Sequence, residues 1–258
     1  MNNARLFSSL LWIACGTLVF AVEPLQETVV QRYDVDAGVR VSVENADGAI
    51  RLYGTNKPEV RIEAIKRAYD AERLHGIVVG VNASQSQVAI KTGFPPRKNA
   101  ISDRSGTVDY IIVVPQTAHI TELKLANGEI QVEGLRPGGS LTARLVNGWL
   151  GAHNCFANLD VSVENGRLDL AYGWWENHEL SMKAAITRGN IRAILPGNAA
   201  LNLSAVATQG RVSNGFAPGK TKDDDTVRSV AEVIGSGAQA AVSLEARSGN
   251  IWISKLKY

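Results

Sequence analysis

The sequence predicts an all-β protein built from one repeated strand–turn–strand unit, and three observations carry that prediction. From Leu123 onward the chain reads LKLANGEIQVEGL, LTARLVNGWLGAH, LDVSVENGRLDLAYG and LSMKAAITRGNIRAIL, each an alternating apolar run, a glycine turn and a second short run. Before the turns the apolar residues fall on alternate positions, as at Leu123 and Leu125, at Leu159, Val161 and Val163, and at Val242 and Leu244. A period of two belongs to half-buried strands. The turn glycines Gly128, Gly148, Gly166, Gly189 and Gly210 follow one another at 20, 18, 23 and 21 residues, and a steady period in this range marks a stacked repeat.

The same phrase stands upstream at Gly48 (VSVENADGAIRLYG) and downstream at Gly249 (VSLEARSGNIWIS). Two residues after each glycine comes an apolar residue: Ile50, Ile130, Leu150, Leu168, Ile191, Val212 and Ile251. Three turns carry Asn-Gly, at Asn127-Gly128, Asn147-Gly148 and Asn165-Gly166. Glycine reaches positive φ without a Cβ clash, and asparagine tolerates it better than most residues. Taken singly, each Asn-Gly predicts a β-hairpin. Taken together, the fixed period favours a parallel β-solenoid in which glycines stack and asparagine amides bond from coil to coil. An antiparallel meander or a sandwich is the alternative, and the turns alone do not decide between them.

In chain order, Arg5 followed by the apolar stretch Leu6 to Val22 reads as a signal peptide over residues 1–21, cleaved after Ala21. The lipoprotein alternative at Cys15 is disfavoured by Trp12 and by the apolar run continuing past the cysteine. Residues 22–38 read as a linker and entry strand, and 39–258 as a single domain. Val60 to Ala68 alternates as a strand, and the polar stretch Ala68 to His75 admits one short helix. Ile77 to Val81, Gln87 to Lys91 and Val108 to Val114 are further strands, and Phe94 to Gly106, with Pro95 and Pro96, is a loop. Between Gly210 and Gly249 the period lapses, and about 214–230 is expected to project as a loop before the chain rejoins the stack at Ala241. The Trp252 segment is a candidate cap for one end of the stack, and Val60 to Val114 for the other.

The chain has 258 residues, 45% of them hydrophobic, with 24 glycines and a net charge of +2. This weak, evenly mixed charge argues against a nucleic-acid partner or an anionic membrane. After signal removal no stable membrane span is expected. Cys155 is then the single cysteine, so no internal disulfide can form and the core alone must hold the domain. One unit buries only about four to six apolar side chains, at roughly 1.5–3 kcal/mol each. A single unit therefore cannot offset its own ordering entropy and needs neighbours on both sides.

The NG-x-apolar-x-apolar units resemble the bacterial exported β-strand-repeat adhesin family, domain of unknown function 4097. So do Val43-Glu44-Asn45-Ala46-Asp47-Gly48-Ala49-Ile50, the strand at Pro58-Glu59-Val60, Val108-Asp109-Tyr110-Ile111 leading to Val114-Pro115, and Ser248-Gly249-Asn250-Ile251-Trp252-Ile253. The resemblance spans about Val39 to Lys255. It implies a right-handed β-solenoid, export to the periplasm or cell envelope, and an adhesin role that is itself inferred. It brings no catalytic residues.

No catalytic, metal or cofactor constellation stands out. His75, His119, His153 and His178 lack metal-ligand spacing. Asp223-Asp224-Asp225 lacks the alternating ligands and glycine turn of a calcium loop. Glu44, Glu164 and Asp169 form a carboxylate pair only if coils bring them together. Trp174 and Trp175 are the candidate contact for a partner or glycan: adjacent strand residues point to opposite faces, so one ring is expected outside the core. The expected function is a non-enzymatic envelope protein, adhesin-like or a scaffold, meeting an envelope protein or glycan through its β face. The alternatives are an envelope-stress sensor with a protein partner and a glycan-active β-helix enzyme. The last requires acidic and basic residues converging on one groove.

Overall fold

The computed structural model describes residues 23–96, 106–216 and 227–256. The expected signal segment, Cys15, Asp223-Asp224-Asp225 and most of the expected projecting loop lie outside them. The described residues form β1 (Leu25–Asp34), β2 (Arg40–Thr55), β3 (Glu59–Ala68), α1 (Ala71–Gly76), β4 (Val78–Ala83), β5 (Gln87–Gly93), β6 (Thr107–Pro115), β7 (His119–Glu133), β8 (Ser140–His153), β9 (Asn158–Ala171), β10 (Leu180–Leu195), β11 (Leu201–Gln209), β12 (Val212–Asn214), β13 (Ser229–Ile234), β14 (Ala240–Ser248) and β15 (Ile251–Lys255). The protein is all-β, with one large mixed sheet that does not close on itself. The short helix is present, its N-terminus capped by Asp70, whose carboxylate accepts from the Arg73 amide at 2.7 Å.

Five long strands form the centre: β2, β7, β8, β9 and β10, each carrying one copy of the repeat. Neighbouring copies pair in parallel, glycine against glycine, through Gly48, Gly128, Gly148, Gly166 and Gly189. Parallel pairing excludes a hairpin meander for these copies. The Asn-Gly turns make no hairpins because only their glycines have positive φ, and a type I′ turn needs it at both central residues. Instead each strand runs on through its glycine and divides into a first arm before it and a second arm after it.

The burial pattern records the division. In β7 the buried residues flanking the glycine are Leu123 and Leu125, then Ile130 and Val132; in β9 they are Val161 and Val163, then Leu168 and Leu170. A spacing of five across the turn breaks the alternation of two, so both arms keep their apolar residues toward one core. The connections between copies add Leu135, Phe156 and Tyr172 to it.

At the turns, Gly148 has φ +136°, and a Cβ there would lie 1.9 Å from the Gly128 carbonyl oxygen. The other turn glycines meet the backbone of a neighbouring strand in the same way. Stacking of the asparagines accompanies this: Asn165 donates to Asn147 at 3.0 Å, and Asn127 donates to Asp47 at 2.9 Å. Arg188 closes the ladder by donating to Asn165 Oδ1 at 2.6 Å.

The two arms have different neighbours at the ends of the stack. The first arm of β2 pairs with β5, which pairs with β4; its second arm pairs with β6, followed by β3 and β1. Strands β3 to β6 therefore cover this end, as expected of 60–114. At the other end β10 pairs with β14 along its first arm and β15 along its second. Beyond them lie β11 and β12. The Gly249 copy thus sits between those of Gly189 and Gly210, and Trp252 lies one strand inside the end of the stack. Gly210 also differs from the other turn glycines, since its φ is not positive. Part of the expected projecting loop is strand: Asn214 ends β12, and Ser229 and Val230 begin β13, which pairs antiparallel with β11.

Candidate functional site

Trp174 and Trp175 do not lie on a strand. Strand β9 ends at Ala171 and β10 begins at Leu180, so both tryptophans belong to the connection. The expected division still occurs, for a different reason. The connection turns the chain around Phe156, whose ring lies 5.7 Å from Trp174 and 6.3 Å from Trp175. Trp175 also meets Tyr172 edge-on at 5.7 Å, while Trp174 remains 44% exposed.

Three successive connections build this corner. Arg136 comes from the first, Phe156 from the second, and Tyr172 to His178 from the third. Glu176 Oε1 accepts from the Trp174 indole at 2.8 Å and from the Arg136 guanidinium. Arg136 lies 5.8 Å from the Trp174 ring centre. Burial works to raise the Glu176 carboxyl, but bonds from Trp174 and Arg136, with the charges of Arg136 and His178, hold it below the usual carboxylate value. The exposed indole has therefore already spent its N–H on a neighbour. Beneath the corner, burial pushes the Cys155 thiol up to about 12, and Tyr172 donates to the Cys155 carbonyl at 2.7 Å.

A second aromatic group lies on the outer face of the second arms. Trp149 on β8 donates its indole N–H to Asp169 Oδ2 on β9 at 2.8 Å. The same oxygen pairs with Arg167 Nε at 2.9 Å, and the Arg167 guanidinium stands 5.6 Å from the Trp149 ring centre. On β10, Arg192 lies 5.8 Å from the ring of Trp252 on β15, and Trp252 is 38% exposed. These residues occupy the first and third positions after their glycines. Aligning the copies on those glycines would have placed them on one face; reading only the adjacent Trp-Trp pair missed them.

The other candidates do not converge. Glu44 and Glu164 lie on the first arms of β2 and β9, three strand spacings or about 14 Å apart. Lys91 donates to Glu44 and, against a small burial effect, the charges of Lys91 and Lys124 also lower its carboxyl. Asp169 is on the second arm, held by Trp149 and Arg167. His119 bonds Ser140 at 3.1 Å, His178 bonds the Phe156 carbonyl at 3.1 Å, and His75 sits on α1. Among the described residues no group of three or more His, Cys, Asp or Glu is arranged to hold a metal. None of their helices is long and apolar enough to cross a membrane.

No protein-family model matches the chain, and no curated protein matches its sequence. The fold is shared with a proposed cell adhesion protein from Clostridium sporogenes, at 13% identity and a TM-score of 0.52, covering 91% of this chain and 100% of that one. A proposed adhesin from Bacteroides fragilis aligns at 11% identity over 88% of this chain and 97% of its own, with a TM-score of 0.28. A proposed lipid-binding protein from Parabacteroides distasonis aligns at 11% identity over 89% and 97%, with a TM-score of 0.25. The first likeness concerns the fold; the other two scores are too low to carry an argument.

Proposed function

We propose that the chain is a non-enzymatic, exported envelope protein of adhesin-like or scaffold type, which meets a protein or glycan through its outer β face. The observation that supports this is the row of aromatic and guanidinium groups, Trp149, Arg167, Arg192 and Trp252, on one face of four neighbouring strands. The broad face and the Clostridium sporogenes fold fit a binding surface better than a reaction cleft. The turn pattern resembles that of the exported β-strand-repeat adhesin family 4097, which supports this reading. Trp174, at the corner of the connections, is a second possible contact, with Trp175 as its support.

The architecture proposed for this role is a right-handed β-solenoid. Strand β8 has 14 residues, and four residues connect it to β9, its parallel neighbour. A straight strand of that length spans about 46 Å, whereas such a connection reaches at most about 17 Å. The two arms must therefore fold back toward each other, and strand, strand and connection form the three sides of a coil. Right-handed winding is the rule for parallel crossovers.

Two measurements test this reading. N-terminal sequencing of protein from the envelope fraction is expected to begin at Val22; intact Met1 would refute cleavage. Capture from native envelope beside a glycan array is expected to recover a partner whose retention requires the Trp149–Trp252 face. Retention by a variant lacking both tryptophans would move the contact elsewhere.

A further inference from the structure

We propose that the outer face bearing Trp149, Arg167, Arg192 and Trp252 binds a carboxylated polysaccharide strand. This rests on the adhesin-like reading above and names its partner class.

The face is built to be flat. Opposite the Trp149 ring, residue 151 is glycine; a Cβ there would lie 2.5 Å from Trp149 Cζ2, so the ring covers the bare backbone and lies along the sheet. Asp169 fixes it in plane by accepting its N–H and holds Arg167 beside it through the same oxygen. The Arg192–Trp252 pair continues the platform on the next two strands. Two guanidinium groups thus stand between two rings across four strands, about 14 Å from first to last. Ring faces suit the C–H faces of sugars, and guanidinium forks suit carboxylates.

The charge pattern selects an acidic sugar. On β7 the corresponding positions carry Glu129 and Gln131, with Arg51 on β2 only 3.8 Å from Glu129. From β9 to β12 the positions carry Arg167 and Arg192, with Arg211 just before β12 and Asp169 as the carboxylate among them. Asp169 is already engaged by Arg167 and Trp149. The face is therefore balanced in charge on β2 and β7 and carries an excess of guanidinium groups from β9 to β12, which draws an anionic strand to the side between Trp149 and Trp252. Three cations are too few for a nucleic-acid track, whose affinity comes from many phosphate contacts.

The test is calorimetric titration of the full chain with galacturonic acid oligomers, beside neutral galactose oligomers of equal length. The acidic oligomers are expected to bind, the neutral ones at least tenfold more weakly, with affinity falling as salt rises. Trp252→Ala and Arg192→Ala are each expected to lower affinity about tenfold or more, as hot-spot truncations do, with circular dichroism and melting temperature unchanged. Tyr69→Ala, which removes an exposed ring just after β3 and away from this face, is expected to bind as the parent does. Absence of acidic-oligomer binding, equal binding of the neutral series, or full affinity in both face variants overturns the proposal. If the acidic oligomers fail while envelope capture still requires Trp252, the adhesin-like reading survives and the acidic-polysaccharide assignment falls. If capture is also independent of the face, both fall.

Discussion

Asn147 donates its side-chain amide to Asn127 Oδ1 at 2.9 Å, from a strand that begins 21 residues further along the chain. Because Asn147 also accepts from Asn165, it stands in the middle of a run of amides that begins at the guanidinium of Arg188 and ends at the carboxylate of Asp47. Each amide polarises the next in the same direction, and the two charged ends complete that polarity. Asn147→Ala removes one donor and one acceptor at an exposed position. Urea melts should show a loss of about 1–2 kcal/mol with an unchanged denaturant slope; full stability would show that the ladder is ornamental.

A larger effect is expected at the glycine beside it. A Cβ on Gly148 would lie 1.9 Å from the Gly128 carbonyl oxygen, and the residue holds φ +136°. Strained backbone costs about 1–3 kcal/mol by itself, and the carbonyl is part of the ladder and cannot step aside. Gly148→Ala should therefore cost about 3 kcal/mol or more, readable as an early denaturation midpoint. A melt within experimental error of the parent would disprove the close approach.

The two adjacent tryptophans should behave differently. Trp174→Ala loses an exposed ring and a hydrogen bond to Glu176, about 1 kcal/mol. Trp175→Ala opens a space against Phe156 and Tyr172 and should cost about 3 kcal/mol. Trp175→Phe is the control: the Trp175 indole nitrogen has no hydrogen-bond partner among the described residues, so the phenyl ring forfeits packing alone. Equal losses for both alanine variants would contradict the corner described above.

Stability should also depend on acid through Glu176. Its carboxyl is held below the usual value of 4.5 in the folded protein. The sign follows: the stabilisation is fully present above 4.5 and is lost as pH falls through the lower folded value. Melting temperatures of the parent and Glu176→Gln should therefore converge as pH is lowered from 6 toward 3. A constant difference across that range would separate the corner from the titration.

Much of the fold was legible in the sequence because its units are regular. The alternation at Leu159, Val161 and Val163 gave the strands, and the recurring Asn-Gly gave both the stack and the asparagine contacts. The corner is less legible because strand alternation and packing predict the same division of the two rings: Gly173 interrupts the chain before Trp174, and Phe156, distant in sequence, is what the rings sort themselves against. The outer face was concealed because Trp149 and Trp252 are 103 positions apart in the sequence and only the register brings them onto one face. Strand β13 escaped notice because Ser229 to Ile234 is a short segment at the edge of an unpatterned stretch.

The insertion of β14 and β15 between β10 and the β11–β12 pair has a consequence for how the molecule can be built. Repeat proteins ordinarily extend one unit at a time, each new unit docking on the last one made. Here β11 and β12 are synthesised before the strands that must separate them from β10, so growth by simple addition stops at β10. The final copy acts as a keystone: until it arrives, β11 has no parallel neighbour and the tail of the stack must wait open. The same arrangement sets where evolution can lengthen the molecule, because duplicating a unit among β7 to β9 leaves the keystone in place, whereas a unit inserted beside the keystone would part it from one of the neighbours it joins.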